Sequence, residues 1–423
     1  MSRRAMIILI LAIAAVHAVL LGLFLATGSA ERQISETKRE IREETALRSE
    51  FGNGEALPSG AQTETLSSGQ KPSASETQAS SAPPIPSVSP DKDPTASLPA
   101  VKEKPTPSVP STTYVRKPKK TAAVKLDFSG AARDNVSALK GVNLATTGIL
   151  VDMDTNKVLW AKNQAKAVPI ASLTKIMTIM LAYEIAMDDA SPYTLESLIP
   201  VTVEAINTEA SKVDSKKGEM FTIRELLVAA SVKSANDAAH LLAEHLGGGK
   251  AAPFIEDMNR RAKEIGMMHT TYFNAHGLPG KSKATDNQSS PEDIVYLCYA
   301  FCQYPYLMEL AGLRSAPFRE KGSPNYMLLQ NHNNLLPGAK TAAPGVNGIK
   351  TGFTNRAGFC VAATCERSGR HLLAVVTGFP SAADRDNFVR SLLDWGYAKI
   401  GISKQKAAST PASTKNTSTK KGR

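Results

Sequence analysis

Three groups of residues in this 423-residue chain carry types and spacings that could do chemistry. The first is Ala171-Ser172-Leu173-Thr174-Lys175, where serine and lysine stand three apart and share one face if the segment is helical. An ammonium buried on an apolar helix is costly, and desolvation pushes it towards the neutral form. A neutral lysine beside a serine hydroxyl can take its proton and make the serine a nucleophile. The positive end of the helix would favour the alkoxide. In isolation, a capping serine and a lysine reaching for water would read the same way, because Ser-x-x-Lys is a common tetrapeptide. The second group lies in Ser231-Val232-Lys233-Ser234-Ala235-Asn236-Asp237, where Ser234 and Asn236 present a hydroxyl and an amide two residues apart. The third, Lys350-Thr351-Gly352, sets Lys350 and Thr351 on opposite faces of a predicted strand.

Those groups need elements to hold them. No proline or glycine interrupts residues 170–190, and the stretch is apolar on nearly every side, which predicts a helix buried mid-domain. Residues 147–152 and 157–160 read as strands of a hairpin. Thr222 is a predicted cap for a helix reaching Ala230, and 235–246 and 251–265 read as helices. Ser290 followed by Pro291 opens another. Residues 348–352, 358–364 and 371–376 read as strands, and a last helix spans about 382–397. Strands at both ends with helices between predict an α+β (α/β) domain, an antiparallel sheet flanked by helices with a helical lobe. The active site would lie in the crevice between sheet and lobe.

The remainder of the chain is organised around delivering that domain. Met1-Ser2-Arg3-Arg4 precedes an apolar run over 5–26, long enough to cross a bilayer as a helix. The arginines place residues 1–4 in the cytoplasm and the rest outside. Residues 5–27 are therefore a membrane anchor or, if cleaved after the weak Gly28-Ser29-Ala30 site, a signal segment of a secreted protein. Residues 28–124 read as a charged stalk followed by a disordered Ser/Thr/Pro-rich linker, 125–400 as the catalytic domain and 401–423 as a disordered basic tail.

The net charge of +11 is concentrated in flexible stretches, Arg116-Lys117-Pro118-Lys119-Lys120 and the tail. Neither interleaves aromatic residues, so nucleic-acid binding is a poor reading. Cys298, Cys302, Cys360 and Cys365 show no zinc-ligand spacing and read as buried free thiols. His240 and His245 are five apart, on different helical faces, which argues against a zinc site. His276 reads as a turn residue, and Asp152 and Asp154 as hairpin polar groups.

In the order Ser-x-x-Lys, Ser-x-Asn, Lys-Thr-Gly, the set resembles the active-site serine penicillin-recognising enzymes. It resembles most closely the D-alanyl-D-alanine carboxypeptidases of the S11 peptidase family. Ala171–Lys175, Ser234-Ala235-Asn236-Asp237-Ala238-Ala239, His276-Gly277-Leu278, Asn347–Gly352 and Ala357-Gly358-Phe359 look like its signatures, over roughly residues 140–398. The resemblance implies a β-lactamase/transpeptidase-like fold. It makes Ser172 the acylated nucleophile, Lys175 its base and Ser234 the relay to the leaving amine. Asn236 would hold the substrate backbone and Lys175; Lys350 would supply positive potential, Thr351 would help to bind the substrate carboxylate, and the Ser172 and Phe353 N–H groups would form the oxyanion hole. Arg385 resembles a family arginine near the carboxylate end. The partners implied are the peptidoglycan pentapeptide and β-lactams as covalent inhibitors, with no metal or cofactor. A DD-endopeptidase, a β-lactamase lacking a visible deacylating glutamate, and a non-catalytic wall-binding protein are the alternatives. Many relatives continue into a carboxy-terminal β domain, whereas here a polar tail follows Gly401.

Overall fold

The computed structural model describes Tyr114, residues 116–119 and residues 124–402 other than 135, 137 and 340. The expected anchor at 5–27, the stalk and most of the linker, and the tail beyond Ile402 lie outside the described residues. Among the described residues no helix is long and apolar enough to cross a membrane.

Six strands form the main sheet. In chain order they are β1 (Ala132–Arg133), β2 (Thr147–Asp152), β3 (Lys157–Lys162), and, after a separate hairpin of β4 (Ser315–Phe318) and β5 (Met327–Gln330), β6 (Lys350–Thr354), β7 (Gly358–Arg367) and β8 (Arg370–Phe379). Their spatial order is β1-β3-β2-β8-β7-β6. The two predicted hairpins thus meet at β2 and β8, antiparallel, with Thr377 opposite Thr147 and Leu372 opposite Asp152. Only the two-residue β1 runs parallel to its neighbour.

Alternate side chains of this sheet serve two layers. Ile149, Val151, Leu373 and Val375 join the core shared with the helical lobe. Leu150 and Leu372 instead meet the last helix, α7 (Ala382–Lys399, below). A Cβ on its Gly396 would come within 2.6 Å of the Leu150 side chain and 3.0 Å of Leu372, so glycine lets those leucines pack against the helix backbone.

The lobe holds α1 (Thr174–Met187), α2 (Ile223–Val228), α3 (Asn236–Leu246), α4 (Ala251–Glu264), α5 (Pro291–Phe301) and α6 (Pro305–Gly312). All of α1 except Tyr183 and Met187 is buried, as its all-round apolar sequence requires. Thr222 and Glu225 form a reciprocal capping box on α2. Ser290 caps α5 with Pro291 in its first turn. The helix expected to reach Ala230 instead widens into a π turn over Ala229–Lys233 and ends at Ser234, whose φ of 59° is left-handed. That reversal starts α3 two residues later and turns Ser234 and Asn236 into one bend.

The linker boundary at 124 needs correction. Arg116 is 3% exposed and donates to Glu264 at 2.8 Å, with Asp257 at 3.6 Å and Glu184 at 3.9 Å. Tyr114 donates to Asp188, Lys119 Nζ to the Tyr304 hydroxyl at 2.6 Å, and Arg261 to the Lys119 carbonyl at 3.1 Å. A basic run read as free linker is held on α1 and α4 by three carboxylates. Arg116→Met should therefore lower unfolding free energy by about 1–3 kcal/mol, below the figure for a locked buried pair because the strap can lift and rehydrate the carboxylates. Urea denaturation checks this, and an unchanged midpoint would show that the strap contributes nothing.

Candidate active site

Ser172 sits in a single 3-10 turn, Ala171–Leu173, that feeds directly into α1. Ala171 has a left-handed φ of 47°, unusual for a residue with a Cβ. Two backbones press on this turn through glycines. A Cβ at Gly277 would lie 2.0 Å from the Ala171 carbonyl oxygen, and one at Gly352 would lie 3.0 Å from the Ser172 nitrogen. Glycine at 277 also supplies a φ of 88°. The edge of β6 and the 276–277 turn are thereby brought against the serine.

Three residues further, in the first turn of α1, Lys175 is fully buried. Its Nζ lies 2.6 Å from Asn236 Oδ1, 2.6 Å from the His276 carbonyl oxygen and 3.1 Å from Ser172 Oγ. Burial first, and then the Lys350 charge, hold the Lys175 ammonium well below the usual lysine range, against an upward pull from Asp237. A neutral amine has two N–H donors and one lone pair. Two of its three neighbours are carbonyl oxygens that can only accept, so they take both donors. The lone pair is left for the Ser172 hydroxyl.

The orientation of Asn236 follows from a second fixed acceptor. Its Nδ2 donates to the Glu209 carbonyl at 2.9 Å and its backbone N–H to the Ser211 carbonyl at 2.7 Å. With the NH2 group committed there, Oδ1 must face Lys175. Ser234, 5% exposed, has no hydrogen-bond partner for its hydroxyl among the described residues, which leaves that group open to a ligand.

Lys350 is 4% exposed on β6, donates to the Thr351 carbonyl at 3.1 Å, and is pushed down to about 7 by burial and then by the Arg385 charge. Thr351 is buried beside it. Phe353 keeps its ring at the surface, stacked 4.1 Å from Phe359. Arg385 lies on α7, with Nε and Nη2 on one oxygen of Asp386 at 2.8 and 2.7 Å and Nη1 directed to the Cys360 carbonyl at 3.3 Å. Its guanidinium is tied to protein groups, and it reaches the site as a charge beside Lys350.

Ser172, Lys175 and Asn236 are thus joined by hydrogen bonds, and Lys350 and Arg385 by their charges. The His276 and Glu209 carbonyls and the Asp237 carboxylate are participants that the motif reading passed over. His276 itself is a turn residue as expected: its Nδ1 accepts from the Leu278 N–H at 3.1 Å. Burial, then Lys175 and His240, lower it to about 3. The four cysteines are free thiols.

Residues 136–381 match the model of the S11 peptidase family, described as D-alanyl-D-alanine carboxypeptidase. The chain is 29% identical over 255 residues to the D-alanyl-D-alanine carboxypeptidase DacF of Bacillus subtilis, covering 60% of this chain and 62% of that one. It is 34% identical over 219 residues to a D-alanyl-D-alanine endopeptidase of Pseudomonas aeruginosa, covering 51% and 65%. The chain therefore spans less than two thirds of the length of these two relatives. Penicillin-binding protein D2 of Listeria monocytogenes, solved in an ampicillin-bound form, superposes with a TM-score of 0.52 at 27% identity, over 60% of this chain and 98% of that one. The sheet order, the serine–lysine–asparagine contacts and a family match over more than half its length together establish that the chain belongs to the S11 peptidase family.

Proposed function

We propose that this protein is a serine D-alanyl-D-alanine carboxypeptidase that removes the terminal D-alanine of peptidoglycan stem peptides. The observation that carries the reading is a buried, depressed lysine whose two donors are occupied by carbonyls and whose remaining neighbour is Ser172. Ser172 Oγ attacks the carbonyl of the penultimate D-alanine as its proton passes to Lys175 Nζ. The C–N bond then breaks, the proton travels through the Ser234 hydroxyl to the departing amine, and D-alanine leaves. Water, deprotonated by Lys175, hydrolyses the ester and restores Ser172. The Ser172 and Phe353 N–H groups are assigned to the oxyanion, where fixed donors supply much of the rate. Thr351, with Lys350 and the Arg385 charge behind it, is assigned to the terminal carboxylate.

β-Lactams fit the same scheme as covalent inhibitors, consistent with the ampicillin-bound form of the Listeria protein. Because one relative is named an endopeptidase, cross-linked dimers are the competing substrate. The catalytic domain works outside the membrane, held by residues 5–27 or released by their cleavage.

Penicillin is expected to add one acyl group per chain, on Ser172, and to block D-alanine release from a pentapeptide in proportion. Ser172→Ala should lose label and hydrolysis while its stability stays within about 1 kcal/mol, since the hydroxyl caps nothing. Peptide mapping by mass spectrometry decides this; label on another serine, or undiminished D-alanine release, would overturn the assignment.

The depressed Lys175 also has a thermodynamic signature. Between its folded value and the ordinary lysine value near 10.5, unfolding takes up a proton, so stability rises with pH through that window. Relative to Lys175→Met, the wild type should gain up to about 1.4 kcal/mol per pH unit as pH rises from 8 towards 10. Parallel pH dependences for the two proteins would show that Lys175 is an ordinary charged lysine.

A further inference from the structure

Asp237, the residue after Asn236, is fully buried, and among the described residues no cationic side chain is bonded to it. Its carboxylate accepts from backbone and hydroxyl donors on the loop between Ile206 and Met220. The Val213 N–H lies 3.1 and 3.2 Å from its two oxygens, the Ser215 N–H 3.2 Å and the Ser215 hydroxyl 2.8 Å from Oδ2. The Ala238 N–H, in the first turn of α3, adds a bond at 2.9 Å. The same loop carries the Glu209 and Ser211 carbonyls that accept from Asn236, and Ser211 Oγ donates to the Lys233 carbonyl at 3.0 Å. Its outer side is gripped by Arg319, which reaches the Val213 carbonyl at 3.1 Å and Glu219 at 2.9 and 3.1 Å.

A carboxylate is the only side chain of this size that offers acceptors alone, on both oxygens. Without it the loop loses four bonds, and the Glu209 carbonyl is no longer held over Asn236. The Asn236 amide is then free to turn its NH2 towards Lys175. A donor there would compete for the lysine lone pair that Ser172 needs.

We propose that Asp237 is the positioning residue for the base: by holding residues 209–215 against the start of α3 it fixes the Asn236 amide, and through it the direction of the Lys175 lone pair. The inference rests on the carboxypeptidase reading for its catalytic consequence, though not for its geometry. Asp237 also acts through charge. The groups facing Lys175 are Lys350 on β6, Asp237 on α3, His276 in its turn and His332 after β5. Burial first, then the Lys175 charge, lower His276 to about 3; His332 is exposed to solvent, and burial among protein atoms and then the Lys350 charge lower it. Removing the Asp237 charge therefore leaves Lys350 unopposed and should move the acid limb of acylation to lower pH.

The test compares acylation by a reporter penicillin across pH for wild type, Asp237→Asn, Ser215→Ala and Arg319→Gln. Asp237→Asn should acylate about a hundredfold more slowly, the cost of a misplaced catalytic group, with its acid limb displaced downward. Ser215→Ala and Arg319→Gln keep the charge, so they should lose rate with the limb unmoved. A folded Asp237→Asn protein with wild-type rate and limb would overturn the proposal. If that variant does not fold, wild-type rates in both of the others would do the same. Hydrogen exchange at the Val213, Ser215 and Asn236 amides needs no chemistry at Ser172. It should accelerate in Asp237→Asn, and unchanged exchange would sink the inference even if the wild type took no penicillin, a result that by itself would count against the carboxypeptidase reading.

Discussion

The structure depends on keeping one amine out of water without leaving it unsatisfied. Lys175 is buried, and burial of an ammonium is costly, so the group is pushed well below the usual lysine range, towards the neutral amine. What remains is an amine with two donors and two carbonyl oxygens placed 2.6 Å away. Those acceptors come from segments 61 and 101 residues distant in the chain. The helical lobe, the 276–277 turn and the sheet edge must therefore all be in place before Ser172 meets a base.

This requirement accounts for the unusual backbone around the crevice. Ala171 and Ser234 both hold left-handed φ angles, at about 1–3 kcal/mol each for residues with a Cβ. One aims the nucleophile's turn at β6, the other folds Ser234 and Asn236 back over the lysine. Gly277 lets the turn approach where any side chain would collide with backbone, and Gly352 lets the strand edge approach where a Cβ would be crowded at 3.0 Å. The energy stored in these positions is offset by the surrounding core, which extends from α1 through the helical lobe to the lobe-facing side of the sheet.

Much of this was legible because it is written in side chains and local spacing. The all-round apolar run of α1, the caps at Thr222 and Ser290, and the short apolar strands either side of their turns all announce themselves within a few residues. The groups that set the geometry of the base were not legible, since the Glu209 and His276 carbonyls are backbone atoms that every residue has. The helix predicted to reach Ala230 overlaps the π turn at 229–233 by two residues, because the local composition is helical and only the return of the chain at Ser234 forces the widening. Arg116 was misread for a related reason. Its stretch is basic and proline-containing, and its partner Glu264 is 148 residues away, so no local pattern signals the pairing.

The central claim is that Lys175 is a neutral amine whose lone pair faces Ser172. Nuclear magnetic resonance of the resting protein with lysine labelled at Cε and Nζ tests it without substrate or inhibitor. The signal that disappears in Lys175→Arg should carry neutral-amine shifts at pH 8 and titrate well below the surface lysines, which change near about 10.4. An ammonium signal for Lys175 that persists to pH 9 and titrates with the surface lysines would contradict the account.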